Sequence, residues 1–176
     1  MPARTAAPAE LLILRHAKSD WTSGGDDFDR PLNTRGHRDA PRIGTWLAAR
    51  GLIPDRVLSS PARRARQTVE AVCTTLKIPA ERVVWDERLY LAPLPRLLDL
   101  LADTPAETQR LLLVGHNPGL EDLLIHLARD PRPAGTDDKH LPTAGLAHLR
   151  LSSWRPLQGG AAELVQRIRP RDLQAD

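Results

Sequence analysis

Apolar residues in this chain fall into short dense runs separated by stretches with helical spacing. Leu11-Leu12-Ile13-Leu14 and Leu111-Leu112-Leu113-Val114 are unbroken apolar runs. Each has the length of a strand covered on both faces and is far too short to cross a bilayer. Val57-Leu58, after Arg56, and Val83-Val84-Trp85 predict two further short strands. Asn33 or Thr34 can cap a helix running to about Arg50, with Ile43, Trp46 and Leu47 on one face and Gly51 as its stop. Pro41 interrupts that span, so the helix either begins near Pro41, capped by Asp39, or kinks there. Ser60-Pro61 is a cap followed by proline and predicts a second helix, Ala62 to Leu76, with Val69, Val72 and Leu76 inward. A leucine-rich third helix covers Pro95 to Ala102, and Asn117-Pro118 opens a fourth that reaches about Ala128. Leu146 to Leu151 and Leu164 to Ile168 alternate in character and predict two closing strands, antiparallel or at an edge.

Strands alternating with helices predict the α/β class: a three-layer α/β/α sandwich around a mainly parallel central sheet. No repeat or linker interrupts the pattern. The expectation is a flexible N-terminal tail over residues 1–8 and a single domain over 9–176, a length that suits one buried core. Two polar stretches, Ser19 to Asn33 and Asp130 to Pro142, read as the long loops. Of 25 basic residues only Lys18, Lys77 and Lys139 are lysines, and the formal net charge is just +3. Acids and bases interleave along the chain, and aromatic rings are few. A nucleic-acid binder would gather its basic charge and add stacking rings, so no nucleic-acid partner is expected. The lone Cys73 excludes an intramolecular disulfide and a cysteine-built metal site. With no secretory signal and no membrane span evident, the expected state is a cytoplasmic monomer without a membrane partner.

In a parallel sheet the carboxyl ends of the strands share one edge, where ligands bind. Beyond the successive predicted strands lie Arg15, His16 and Ser19; then Ser60, Arg63 and Arg64; then Asp86 and Glu87; then His116 and Asn117. Taken singly, each has a plain reading: a solvated arginine, a capping or core histidine, an exposed loop. Together, beside two helix N-termini, they predict a site for a phosphate. A neutral His16 could attack phosphorus in line and become a phosphohistidine, while Arg15, Arg64 and His116 hold the non-bridging oxygens. A protonated carboxylic acid would assist the leaving group, and its conjugate base would activate water. No metal and no other cofactor is expected, because cationic side chains supply the charge neutralisation and would repel a metal ion.

These residues resemble the histidine phosphatase superfamily, which includes the cofactor-dependent phosphoglycerate mutases. The likeness rests on L-I-L-R-H-A-K-S-D-W, on R-P-L-N-T-R-G-H from Arg30 to His37, on L-S-S-P-A-R-R-A-R-Q-T from Leu58 to Thr68, and on L-V-G-H-N-P-G from Leu113 to Gly119. The resemblance implies a phosphoglycerate-mutase-like fold, with the nucleophile at His16 and the second catalytic histidine at His116. It places phosphate-binding roles on Arg15, Arg64, His116 and Ser19, with Arg64 preferred to Arg63 because it precedes alanine. Ala17 stands where the signature usually has glycine.

E-R-L-Y, Glu87 to Tyr90, is similar to the block that carries the mutase acid, which makes Glu87 the candidate general acid with Asp86 behind it. Glu87 can equally be a salt-bridge partner of Arg88 or Arg82. Small size, R-H-A-K-S and L-P-T-A-G-L look most like bacterial phosphohistidine phosphatases of the SixA type, which can lack that acid. The resemblance thus implies a metal-independent phosphatase acting on phosphohistidine in a protein. The alternatives are a phosphomonoesterase for a small sugar or nucleotide phosphate, and a non-catalytic phosphate-binding module. Presence of both His16 and His116 argues against the last. The absence of a lid-sized insertion favours a protruding side chain over an enclosed metabolite.

Overall fold

Side chains alternate across a strand, so an unbroken apolar run can feed two cores at once. The first such run lies in β1 (Ala9–Arg15) and the second in β4 (Arg110–Gly115). Leu11, Ile13, Leu111 and Leu113 pack on one side with α3 (Leu94–Ala102) and α4 (Gly119–Leu127). Leu12, Leu14, Leu112 and Val114 pack on the other with α1 (Thr34–Ala49) and α2 (Arg63–Leu76). Two cores on opposite faces of one sheet are the three expected layers. The computed structural model describes residues 8–131 and 139–173. The predicted tail, apart from Pro8, and much of the Asp130 to Pro142 loop lie outside the described residues.

The remaining strands are β2 (Arg56–Ser59), β3 (Val83–Trp85), β5 (Leu146–Leu151) and β6 (Ala162–Ile168), and the sheet order is β3-β2-β4-β1-β5-β6. β3, β2, β4 and β1 run parallel, while β5 is antiparallel to β1 and β6 antiparallel to β5. The carboxyl ends of β1, β2 and β4 therefore meet at one edge, which places the segments after them together. Among the described residues, no helix is long and apolar enough to cross a membrane.

One helix start follows expectation and two differ from it. Asn33 caps α1, its side chain accepting from the Gly36 N–H at 3.0 Å, and the helix runs on through Pro41. Asp39, the alternative cap, is buried among arginines instead. α2 begins at Arg63, one residue past the predicted Ala62, and the Ser60 hydroxyl both accepts from the Ala62 N–H at 3.3 Å and lies 2.7 Å from His116 Nε2. α4 begins at Gly119, because the Asn117 amide donates to the Leu141 carbonyl at 2.9 Å rather than capping the helix. Both cap-type side chains are drawn toward the strand edge. Gly36 is needed for close approach: a Cβ there would stand 2.2 Å from the Lys18 carbonyl oxygen. α1 is thereby seated directly against the segment that follows His16.

Candidate active site

The end of β1 holds its side chains through backbone bonds that continue past the strand. The Arg15 N–H donates to Gly145 at 3.1 Å, that of His16 to Gly115 at 3.1 Å, and that of Ala17 to the Thr68 hydroxyl at 3.0 Å. His16 is 6% exposed, and its Nδ1 lies 2.7 Å from the Ala17 carbonyl oxygen. A carbonyl only accepts, so the proton sits on Nδ1 and Nε2 keeps its lone pair. Burial pushes the His16 pKa down to about 3, with the nearby cations acting in the same direction. The ring is neutral at physiological pH.

His116 follows β4, and its ring centroid lies 5.3 Å from that of His16. Arg64 Nη2 donates to His116 Nδ1 at 3.2 Å, which leaves Nε2–H to donate to Ser60 Oγ at 2.7 Å. Burial, then the charge of Arg64, pushes its pKa down to about 3 as well. Arg64 is itself only 2% exposed. Its Nη1 donates to the Asp27 carbonyl at 2.6 Å and its Nη2 to Asp27 Oδ2 at 3.0 Å.

Asp27 comes from the Ser19 to Asn33 loop, which is closed at its base by a bridge between Ser19 and Leu32 and carries a 3-10 turn at Asp27–Asp29. Arg30 donates to Asp27 Oδ1 at 2.9 Å and, with its other terminal nitrogen, to the Ser19 hydroxyl. The Tyr90 hydroxyl donates to Asp27 Oδ2 at 2.6 Å. That hydroxyl, followed by the two guanidinium groups, holds the Asp27 carboxyl well below the usual carboxylate range. Arg15 donates to the Leu141 carbonyl at 3.3 Å, and burial lowers its pKa.

The Nε–H groups of Arg15, Arg30 and Arg64 are all buried without a hydrogen-bond partner among the described residues. Three guanidinium groups lining one cavity suit an oxyanion. The cavity is about 290 Å³ and also takes in Lys18, Asn117 and Thr143, with exposed Trp21 and Leu91 among its lining. Trp21 stacks under Arg30 at 3.6 Å. Among the described residues no three His, Cys, Asp or Glu side chains cluster as metal ligands.

Comparison with known proteins agrees with this geometry. The model of the histidine phosphatase superfamily, branch 1, matches residues 11–89. An uncharacterised protein of Mycobacterium tuberculosis is 38% identical over 157 residues, covering 86% of this chain and 96% of that protein. A structure assigned to the phosphohistidine phosphatase SixA of Nakamurella multipartitia superposes with a TM-score of 0.78 at 31% identity, covering 94% of this chain and 98% of that one. One assigned to SixA of Agrobacterium tumefaciens gives 0.76 at 33% identity, covering 93% and 99%. The chain belongs to the histidine phosphatase superfamily.

In this histidine phosphatase Arg15, His16, Ser19, Arg64 and His116 all line or adjoin one cavity. Glu87 does not join them. It is exposed on the 3-10 turn Glu87–Leu89 and is not part of the cavity wall. That turn brings Tyr90, rather than Glu87, over His116, with ring centroids 5.5 Å apart. Asp86 is tied to Arg88 at 2.7 Å, and Arg88 also reaches Asp103 at 3.5 Å, so the arginine expected beside Glu87 is engaged by other carboxylates. Sequence reasoning missed Asp27, Arg30 and Tyr90. Arg30 stood inside a family-like block, and Tyr90 stood in the very tetrapeptide from which Glu87 was chosen.

Proposed function

We propose that this chain is a metal-independent phosphatase working through a covalent phosphohistidine on His16, and that its substrate is phosphohistidine in a protein. The observation that carries the reading is the hydrogen bond from His16 Nδ1 to Ala17, which leaves the Nε2 lone pair available in a cavity that also holds Arg15, Arg30 and Arg64. In the first step Nε2 forms a bond to phosphorus while the P–N bond of the substrate breaks. A substrate ring protonated on its other nitrogen then departs as neutral imidazole and needs no external acid. Arg15 and Arg64 hold the non-bridging oxygens, the His116 Nε2–H is shared between Ser60 and one of them, and Arg30, braced on Ser19, adds a further guanidinium.

In the second step water attacks phosphorus, the electron pair of the P–Nε2 bond returns to the ring, and the water proton leaves with phosphate. His16 is restored as the same Nδ1–H tautomer. Neither step requires Glu87, in keeping with its exposure. Likeness to the SixA-assigned structures supports phosphohistidine as the scissile group. A cavity with Trp21 and Leu91 exposed beside it supports a side chain presented by a protein. A panel comparing a phosphohistidine carrier protein with common phosphomonoesters tests the reading. Faster turnover of the carrier, with phosphate trapped on the wild type and not on His16→Ala, is expected; preference for a small phosphomonoester would overturn the substrate assignment.

A further inference from the structure

The block that carries Arg64 closes on Thr68, one turn further along α2. Thr68 is fully buried, and its hydroxyl is engaged on both sides. The proton goes to the Arg64 carbonyl at 2.7 Å, the back bond open to any threonine inside a helix. The oxygen keeps its lone pairs, and one of them accepts the Ala17 N–H at 3.0 Å. A single hydroxyl thus ties the turn that bears the phosphate arginine to the residue that follows His16.

Ala17 is also the residue that fixes the His16 ring. Its N–H meets Thr68, and its carbonyl oxygen lies 2.7 Å from His16 Nδ1. The chain on either side is pinned by main-chain bonds. The Arg15 N–H goes to Gly145 and the His16 N–H to Gly115, while the His16 carbonyl accepts from Ala144 at 3.1 Å and the Lys18 carbonyl from Asn33 at 3.0 Å. Those bonds are indifferent to side-chain identity. The bond at Ala17 is not, because β1 stops pairing with β4 and β5 by Arg15 and a side chain from α2 takes over.

We propose that Thr68 is a positioning residue for phosphoryl transfer: by holding Ala17 it sets which nitrogen of His16 carries the proton and where the other is aimed. This rests on the reading of His16 as the nucleophile. Without the hydroxyl the Ala17 N–H is buried and unsatisfied, and the backbone turns to find another acceptor. The Ala17 carbonyl then leaves Nδ1, the ring exchanges tautomers, and the fraction with a lone pair on Nε2 falls. The same carbonyl serves the intermediate. A ring with phosphorus on Nε2 and a proton on Nδ1 is cationic, and the carbonyl accepts from it until the P–N bond breaks. The guanidinium groups keep their own partners, so the loss falls on rate and not on phosphate binding.

The test compares Thr68→Val, which keeps the shape of the side chain and removes its hydroxyl, with Thr68→Ser, which keeps the hydroxyl. With p-nitrophenyl phosphate as substrate of the full chain, kcat and the single-turnover rate of phosphoenzyme formation are expected to fall about tenfold in Thr68→Val. KM and the inhibition constant for inorganic phosphate should stay within about twofold, and Thr68→Ser should restore most of the rate. Nitrogen NMR of 15N-histidine protein reads the ring directly, with His16 assigned by its absence from His16→Gln. Wild type and Thr68→Ser should show a protonated Nδ1 and an unprotonated Nε2, and Thr68→Val an average of the two tautomers. Thr75 makes the same back bond, to Ala71 at 3.0 Å, but packs against Gly44, so Thr75→Val should keep the wild-type rate and spectrum. If Thr68→Val does not fold, Thr68→Ala is read in its place with the same expected direction. An unchanged tautomer or rate in the folded Thr68 variant, or an equal rate loss in Thr75→Val, overturns the proposal. A wild type that forms no phosphoenzyme, yet whose His16 tautomer still depends on Thr68, would uphold the hold on the ring and remove the nucleophile assignment.

Discussion

Asp27 Oδ2 sits 3.0 Å from Nη2 of Arg64, and the Tyr90 hydroxyl meets the same oxygen at 2.6 Å. An internal carboxylate thus occupies the guanidinium group to which phosphate is assigned. Both are anions, and both cannot take the same donors. Replacing the carboxylate by an amide of equal size removes the competing charge, and Asp27→Asn is expected to tighten inhibition by inorganic phosphate several-fold. The gain is modest because the Asp27 side chain is 42% exposed and solvent screens it. An unchanged or weakened inhibition constant would show that Asp27 supports the arginines more than it competes for them.

His16→Ala should abolish turnover and the trapped phosphoenzyme, while binding of a phosphate analogue falls only modestly. Arg64→Ala removes a buried charge-stabilising donor and should cost roughly 3 to 4 kcal/mol of transition-state stabilisation, about two to three orders of magnitude in kcat/KM. Full activity in either variant would remove the assignment.

Stability should fall steeply in mild acid. His16 and His116 titrate near 6.5 when unfolded and near 3 when folded, so between those values the unfolded chain carries more protons. Stability is therefore complete above about pH 6.5 and is lost as the pH falls toward 3. Two such groups give a slope of at most about 2.7 kcal/mol per pH unit. Burial lowers the pKa of His148 too, which adds in the same direction. Urea unfolding from pH 4 to 7 measures the slope, and His16→Gln with His116→Gln should remove most of it. A slope unaltered by the double variant would contradict the burial of neutral imidazoles.

Gly36→Ala places a methyl group against the Lys18 carbonyl. Overpacking of this kind costs about 1–3 kcal/mol, and here the strain falls on the segment adjoining His16. Activity should drop along with the urea midpoint. Unimpaired kinetics would mean that α1 does not position the nucleophile's segment.

Glu87→Gln should change kcat on phosphohistidine by less than about twofold, whereas a general acid would contribute a hundredfold or more. The pH–rate profile checks this: disappearance of a limb in the variant would restore Glu87 to the mechanism.

Periodicity alone carried the layers of this protein. Strand runs such as Leu111 to Val114 and the spacing of Val69, Val72 and Leu76 reflect burial that is local in the chain, so they are legible without coordinates. The gathering of Arg15, His16, Arg64 and His116 was legible too, because parallel strands must end at one edge and these residues follow the strands directly. The placement of Asp27 and Arg30 obeys no such period. Their loop has no repeating burial pattern, and its path depends on contacts with α2 and Tyr90 that lie tens of residues away. Glu87 and Tyr90 differ by three positions on one short turn, and only packing decides which of them meets the cavity. Arg35 and Arg38 near one end of the chain and Arg169 and Arg171 near the other come to line one depression only through folding. Short-range order follows from residue pattern; long-range juxtaposition follows from which faces are buried against each other, and that is a property of the folded whole.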